Sequence, residues 1–368
     1  MDISIQGLGD PLGPAKVVFV REPRVGLEAI VVVDNVACGP AIGGTRMAVD
    51  VDVREVFRLA RAMTFKNAAA GLAHGGAKSG IVADPGCSPA QKEALVRAFA
   101  RAIRAIEDYI PGPDMGTNEA CMAWVHDEIG RAVGLPRVVG GIPLDEIGAT
   151  GLGLAAAAEV AAPAIGLELA GARVAVQGFG AVGVHGARFL AEHGAVLVAA
   201  SDSRGAVHAP AGLDLAALIA HKHEAGQVAG FAGGQDIDRD AVVGVDCDIW
   251  IPAARPDVLT ADNVSGLKAK LVLQGANIPA TPAAETWMHE HGVLSVPDFI
   301  ANAGGVICAA VEYHDGTQAQ AVEVIQNKIR ANTAETLDRA RADGLEPRAA
   351  AEAMARSRVD EAMQYRRG

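Results

Sequence analysis

Residues 173–192 constrain the fold more than any other stretch. Arg173-Val-Ala-Val-Gln177 is a short apolar run, Gly178-Phe179-Gly180-Ala181-Val182-Gly183 follows it, and Val182 to Glu192 has helical apolar spacing. A strand that turns through spaced glycines into a helix builds an anion site, because the helix N-terminus presents unpaired N–H groups and a partial positive charge. Gly178 permits the tight turn, Gly180 lets the backbone approach a pyrophosphate, and Gly183 lets the helix lie close to the strand. A second strand, Val196–Ser201, ends at Asp202, 24 residues after Gly178. A carboxylate there binds ribose hydroxyls and repels a 2′-phosphate, which points to NAD. Ser203 and Arg204 follow at once, and an arginine at that place would accept a phosphate, so NADP stays open beside NAD. A glycine turn in an unrelated α/β sheet is the plain alternative; the strand before, the helix after and the acid beyond argue against it.

The rest of the chain fits that unit. Strand and helix alternate through Leu213–His223, Ile249 and its neighbours, Leu271–Leu273, Pro282–His291 and Val293–Ser295. Such alternation with short connections implies a doubly wound, parallel sheet. Upstream, Lys16–Val20 and Glu28–Asp34 read as strands, and Val53–Ala69 and Ala90–Ile106 as helices. The stretch Gly71 to Gly80 is so rich in glycine that it reads as an exposed loop. The pattern changes after Gly134-Leu-Pro136, and the residues from about Gln318 on are polar and helix-favouring. The expected organisation is an α/β protein of two domains: residues 1–138, joined by C-terminal helices over 330–368, and a dinucleotide-binding domain over 139–329.

Composition excludes several classes. The formal charge is −12 and no Lys/Arg cluster forms a stripe, so no nucleic-acid partner and no anionic membrane surface is expected. The five scattered cysteines include no CxxC pair, and His221 and His223 are flanked by Lys222 and Glu224 on a polar stretch; neither pattern indicates a disulfide framework or a metal. Met1-Asp-Ile-Ser4 shows no targeting segment, and the most apolar window, 151–180, is broken by charges and a proline. The expected compartment is the cytoplasm.

Two lysines and an aspartate carry the remaining chemistry. Lys66, in Phe65-Lys-Asn67, and Lys78, in Gly75-Gly-Ala-Lys-Ser-Gly80, lie 12 residues apart. Each alone is most simply a surface lysine. Brought together and buried, they would repel each other and lose protons more easily, so that one could bind a fixed anion while the other exchanges protons. Asp114 is boxed in by Pro113 and Gly116; from spacing alone a turn or cap role is the simpler reading.

These residues carry a resemblance. Gly39-Pro-Ala-Ile-Gly-Gly-Thr-Arg-Met47, Thr64-Phe-Lys-Asn67, Gly75-Gly-Ala-Lys78, Pro113-Asp114, the glycine loop, Gln274-Gly-Ala-Asn277 and Pro297-Asp-Phe-Ile-Ala-Asn-Ala-Gly-Gly305 occur in that order over residues 30–315. Together they resemble the glutamate/leucine/phenylalanine/valine dehydrogenases. The resemblance implies a Rossmann-type cofactor domain, a homo-oligomer, and reversible oxidation of an L-amino acid to its 2-oxo acid and ammonia. It gives Lys66 the substrate α-carboxylate, Lys78 the activation of water, and Asp114 proton exchange with the amino group. Asn277 would lie near the nicotinamide ribose and the substrate amino group, and Pro252 and Ala253 would line the cofactor pocket.

The resemblance also bears on the substrate. Members specific for glutamate carry a lysine where this chain has Ile42, beside Gly43, and a serine where it has Ala309. A side-chain carboxylate facing Ile42, Val306 and Ala309 would be unpaired. An apolar amino acid is therefore expected, with Gly112 and Ala309 leaving room for a leucine- or phenylalanine-sized group. Ser201 to Gly205 and Gly275 to Pro282 look more like the glutamate branch, which keeps glutamate as the alternative; a silent NAD-binding relative is the other, opposed by the presence of Lys66, Lys78 and Asp114 together.

Overall fold

The computed structural model describes residues 7–366, so Met1–Ser4 lie outside the described residues. The chain forms two compact units. One comprises the residues up to Leu144, Val306–Ala321 and those from Met354 on; the other comprises Asp145–Gly305 and Val322–Ala353.

The first unit is built on β1 (Lys16–Glu22), β2 (Leu27–Asn35), β3 (Ala41–Ala48), α1 (Val53–Ala69), β4 (Gly75–Val82), α2 (Pro89–Ala102), β5 (Tyr109–Pro113) and α3 (Glu119–Ile129). The five strands run in the order β1-β2-β4-β3-β5, with β3 parallel to both β4 and β5. Strand β2 alternates strictly. Leu27, Ala29, Val31 and Val33 enter the core shared with Leu95, Phe99 and Met122 of α2 and α3, while Ile30 and Val32 pack with Val53, Val56 and Ala60 of α1. The sheet is thus covered on both faces, which is why the central residues of β2, Ala29 to Val33, are all apolar.

The glycine-rich stretch is not an exposed loop. Gly75–Val82 is a buried strand between β2 and β3. Its glycines answer close packing, not turns. A Cβ on Gly76 would lie 2.0 Å from the backbone nitrogen of Thr64 in α1, and one on Gly43 of β3 would lie 1.7 Å from the carbonyl oxygen of Ala77. Glycine weakens a strand by propensity, but here it is what lets a helix and a neighbouring strand approach the backbone.

In the second unit α4 (Ala149–Ala164) precedes β6 (Arg173–Gln177), α5 (Ala181–Glu192), β7 (Val196–Ser201), β8 (Ala206–His208), α6 (Leu215–Ala225), β9 (Gln235–Ile237), β10 (Ile249–Pro252), β11 (Leu271–Leu273), α7 (Pro282–Glu290), β12 (Leu294–Val296) and α8 (Asp298–Ala301). The sheet order is β12-β11-β10-β6-β7-β8-β9. Strands β12 to β7 are parallel, and β8 and β9 add an antiparallel edge. This is the expected α/β doubly wound architecture, and its order reverses between β6 and β10, the place where such sheets bind ligands.

Three helices close the chain: α9 (Gly304–Tyr313), α10 (Gln318–Asp343) and α11 (Pro347–Tyr365). Residues 330–368, grouped above with the first domain, divide instead at Met354. Ion pairs tie residues 330–353 to the second unit. Arg330 of α10 donates to both oxygens of Glu159, at 2.7 and 3.0 Å, and Arg348 of α11 bonds Glu285, Asp298 and Gln274 at 2.8–3.0 Å, all within the second unit. Among the described residues no helix is long and apolar enough to cross a membrane.

The packing account predicts that Gly43→Ala destabilises the protein by about 3 kcal/mol, because a backbone carbonyl must move. Gly266→Ala, whose Cβ meets nothing within 4 Å, should change stability by less than about 0.5 kcal/mol. Denaturant unfolding of the two variants checks both.

Candidate active site

In the first unit the sheet brings Lys78 and Asp114 together. Strand β4 sends Ala77, Ser79 and Ile81 to one face and Gly76, Lys78 and Gly80 to the face of α1, as its register with Val32 requires. Asp114 follows the last residue of β5. Its backbone N–H donates to the Thr117 hydroxyl (3.0 Å), and that hydroxyl donates to the Thr45 carbonyl of β3 (2.7 Å). Lys78 Nζ then lies 3.0 Å from Asp114 Oδ1, with the lysine side chain 7% exposed. Behind them Ser79, Thr45 and Tyr109 form a buried hydroxyl cluster at 2.8–3.2 Å. Burial pushes the Tyr109 hydroxyl up to about 12, so it remains a neutral hydrogen-bonding group.

Burial also lowers the pKa of Lys78, and Asp114 opposes that shift. A neighbouring cation, Arg46, adds to the lowering. Arg46 of β3 donates from Nε to Asp114 Oδ2 at 2.8 Å and pairs through a second nitrogen with Glu55 of α1. Neither Arg46 nor Glu55 was singled out from the sequence. The available signal was a charged residue alternating with Gly44 in a strand of small residues.

Lys66 lies half-buried in the last turn of α1. Arg358 of α11 donates to the carbonyls of Ala68 and Ala69 and holds that helix end. Ile42 is 4% exposed, and Gly43 and Gly112 are buried beside it on paired strands. Val306 and Ala309, one helical turn apart and half-buried, share a face of α9.

In the second unit the ends of β6, β10 and β11 gather at one edge. Ala253 donates to Gln177 O (2.7 Å), and Gly275 and Ala276 donate to Pro252 O (3.0 and 2.8 Å). The glycines of the loop divide by cause. Gly178 has φ +95° and a Cβ there would meet Ala253 and Ala254 at 2.7 Å; at Gly183 it would meet Gly178 O at 2.2 Å. At Gly180 φ is −92° and a Cβ would meet nothing within 4 Å. The fold itself does not need glycine at Gly180, so the residue leaves open the space in front of an α5 N-terminus that has no side-chain cap. Ala181 is exposed there and Val182 half-buried. Phe179 is fully buried and its N–H donates to the Ser201 carbonyl at 2.7 Å, so its ring and its amide both belong to the core.

Two further residues expected at the cofactor lie in this unit. Asp202, expected to face a ribose, is 9% exposed at its side chain. It accepts from Lys222 (2.6 Å), Val228 N (2.9 Å) and Arg204 N (2.9 Å). Ser203 and Arg204 are exposed beside it. Asn277 is exposed, and buried Asn302 donates to its side-chain oxygen (3.1 Å), which directs the Asn277 amide N–H₂ outward. Asn302 lay within the quoted motif but had been assigned no role. His221 gives a ring nitrogen to Ala229 O, and among the described residues no group of three or more His, Cys, Asp or Glu could hold a metal.

Residues 14–131 match the family described as Glu/Leu/Phe/Val dehydrogenase, dimerisation domain, and residues 140–367 match Glutamate/Leucine/Phenylalanine/Valine dehydrogenase. The chain belongs to this dehydrogenase family. It is thereby an amino-acid dehydrogenase in class, an oxidoreductase acting on CH–NH₂ groups with NAD(P). A glutamate dehydrogenase from Aeropyrum pernix is 38% identical over 318 residues, 81% of this chain and 76% of that protein. The hetero-hexameric glutamate dehydrogenase of Thermus thermophilus, solved in a leucine-bound form, superposes with a TM-score of 0.84 at 31% identity, covering 96% of this chain and 90% of that one. An L-tryptophan dehydrogenase from Nostoc punctiforme shares the fold, with a TM-score of 0.76 at 24% identity over 95% of this chain and 97% of that one.

Gly180→Ala should leave the thermal midpoint within about 2 °C, since no packing is disturbed. It should weaken NADH binding at least about tenfold by filling the approach to the pyrophosphate. Fluorescence titration beside a melting curve measures the two effects.

Proposed function

We propose that this chain catalyses the reversible, NAD(P)-dependent oxidative deamination of an L-amino acid with an apolar side chain, of the leucine, valine or phenylalanine type. The products are the 2-oxo acid and ammonia. The observation that carries the reading is the buried Lys78–Asp114 pair at 3.0 Å, a base and an acid that an amino-acid zwitterion and a water molecule both need.

Each residue then has a task. Lys66 pairs with the substrate α-carboxylate. Asp114 exchanges a proton with the amino group. Lys78, which burial shifts toward its neutral amine, takes the proton of the water that attacks the substrate iminium carbon, and its ammonium form then stabilises the carbinolamine. The dinucleotide, when bound, supplies the acceptor for the hydride that leaves Cα. The backbone of Gly178 to Gly183 and the α5 N-terminus hold its pyrophosphate, Pro252 and Ala253 line its pocket, and Asn277 offers an amide to the ribose.

Substrate choice follows from charge accounting. Arg46 and Lys78 already face Glu55 and Asp114, and Lys66 takes the α-carboxylate. A second carboxylate among Ile42, Gly112, Val306 and Ala309 would lack a cation and cost several kcal/mol, about 3 or more. Glutamate is the second reading, favoured by the names of the similar proteins. For the cofactor, Lys222 offsets the charge of Asp202 and turns it inward, so the repulsion of a 2′-phosphate is weak; with Ser203 and Arg204 exposed, both NADH and NADPH are accepted. Copies of the chain assemble as a homo-oligomer, a reading supported by the match to a dimerisation domain and by the sheet edges β1 and β5.

Reductive amination with ammonia should run faster on 4-methyl-2-oxopentanoate than on 2-oxoglutarate, with NADH and NADPH followed separately; the reverse order would establish glutamate. Lys78→Ala should lose at least about 100-fold in turnover and still bind NADH. In deamination, the rate should rise with pH as Lys78 deprotonates, with a midpoint below the ordinary lysine range, because burial lowers its pKa. Lys222→Met should free Asp202 and raise the NADH-to-NADPH preference.

A further inference from the structure

We propose that Arg46 is a positioning residue of the amino-acid site: it fixes the plane of the Asp114 carboxylate against Lys78 and is itself fixed by Glu55, so that four side chains of alternating charge work as one unit. The inference rests on the functional reading above and extends it to two residues to which that reading gives no task in the reaction.

The geometry divides the Asp114 carboxylate between two cations. Oδ1 faces Lys78 Nζ at 3.0 Å, and Oδ2 accepts from Arg46 Nε at 2.8 Å. A carboxylate with one cation can rotate about its last bond and offer both oxygens to it. One held at both oxygens by different elements cannot, and it presents the same edge to a substrate in every cycle. Arg46 is held in turn. Its side chain is 16% exposed, and a second guanidinium nitrogen pairs with Glu55. The Glu55 backbone N–H donates to Asp52, the cap of α1, at 2.8 Å, so the anchor sits on a rigid first turn. Neighbouring glycines keep the face clear. Gly80 stands across from Arg46 in the β3–β4 register, and a Cβ on Gly44 would lie 2.9 Å from Asp114 Cβ and 3.1 Å from Lys78 Nζ.

Arginine suits the place for two reasons. Its planar fork addresses two carboxylates in different directions at once, which an ammonium does poorly. It also stays charged at every working pH, so it takes no part in the proton exchange between Asp114 and Lys78. Its charge disfavours the ammonium form of Lys78, in agreement with the direction of that group's perturbation. It also draws on part of the Asp114 charge that would otherwise hold Lys78 protonated.

The test uses the full chain with Arg46→Gln, Arg46→Lys and Glu55→Gln. The first readout is the pH dependence of Lys78 labelling by trinitrobenzenesulfonate, quantified on the Lys78 peptide. The second is kcat and KM for amino-acid deamination across pH. NADH affinity reports that each variant is folded. In Arg46→Gln the labelling midpoint should move to higher pH, and kcat should fall about 100-fold while KM changes by less than about threefold. Arg46→Lys should recover part of kcat, and Glu55→Gln should lower kcat by less than Arg46→Gln does while its labelling midpoint moves to lower pH, because the Glu55 charge favours the ammonium form of Lys78. An unchanged labelling midpoint in both Arg46→Gln and Glu55→Gln, with NADH affinity retained, overturns the proposal. A wild-type protein that oxidises no amino acid overturns the functional reading instead, and the labelling midpoint still decides the role of Arg46.

Discussion

The contact between α1 and the glycine face of β4 is what the amino-acid site depends on. Thr64 sits where a side chain on Gly76 would be, so helix and strand backbones meet at a distance that only glycine allows. That contact places Glu55 at one end of α1 and Lys66 at the other, over the strand that carries Lys78. It also buries Lys78, and burial is the largest influence on its protonation. The packing and the chemistry therefore have one cause: space removed from a sheet face both fixes the helix and dries the lysine.

Charge is arranged differently in the two units. In the first, Asp114 shares its oxygens between Lys78 and Arg46 and remains 21% exposed, so it can still meet a ligand. In the second, Asp202 spends its oxygens on Lys222 and two backbone N–H groups and is nearly covered. Both are carboxylates at strand ends, where ligands bind in α/β sheets. The difference between them is geometric: one carboxylate is saturated by its own unit, and the other is left partly open. The Arg348 cluster with Glu285, Asp298 and Gln274 belongs to the first kind, and through Asp298 it braces the Ile278 N–H beside Asn277.

The amino-acid sequence by itself determined the central parallel strands of the second unit, though not the antiparallel edge strands β8 and β9. Arg173–Gln177, Val196–Ser201 and Leu271–Leu273 are the strands that their apolar runs predict, because short-range periodicity alone separates strand from helix there. Lys78 and Asp114 were legible as chemistry, since the ordered motifs name them. Tertiary structure alone decided three things. It made Gly75–Val82 a buried strand instead of a loop, because a glycine that relieves a contact between elements distant in sequence looks the same as one that makes a turn. It set Arg46 beside Asp114 and Lys78, because β3 and β5 pair in parallel and no local spacing encodes that register. It turned Asp202 inward, because Lys222 reaches it only once α6 has folded beside β7. Local order is written in neighbours along the chain; the partner of a buried charge is set by the fold, and it decides what that charge can do.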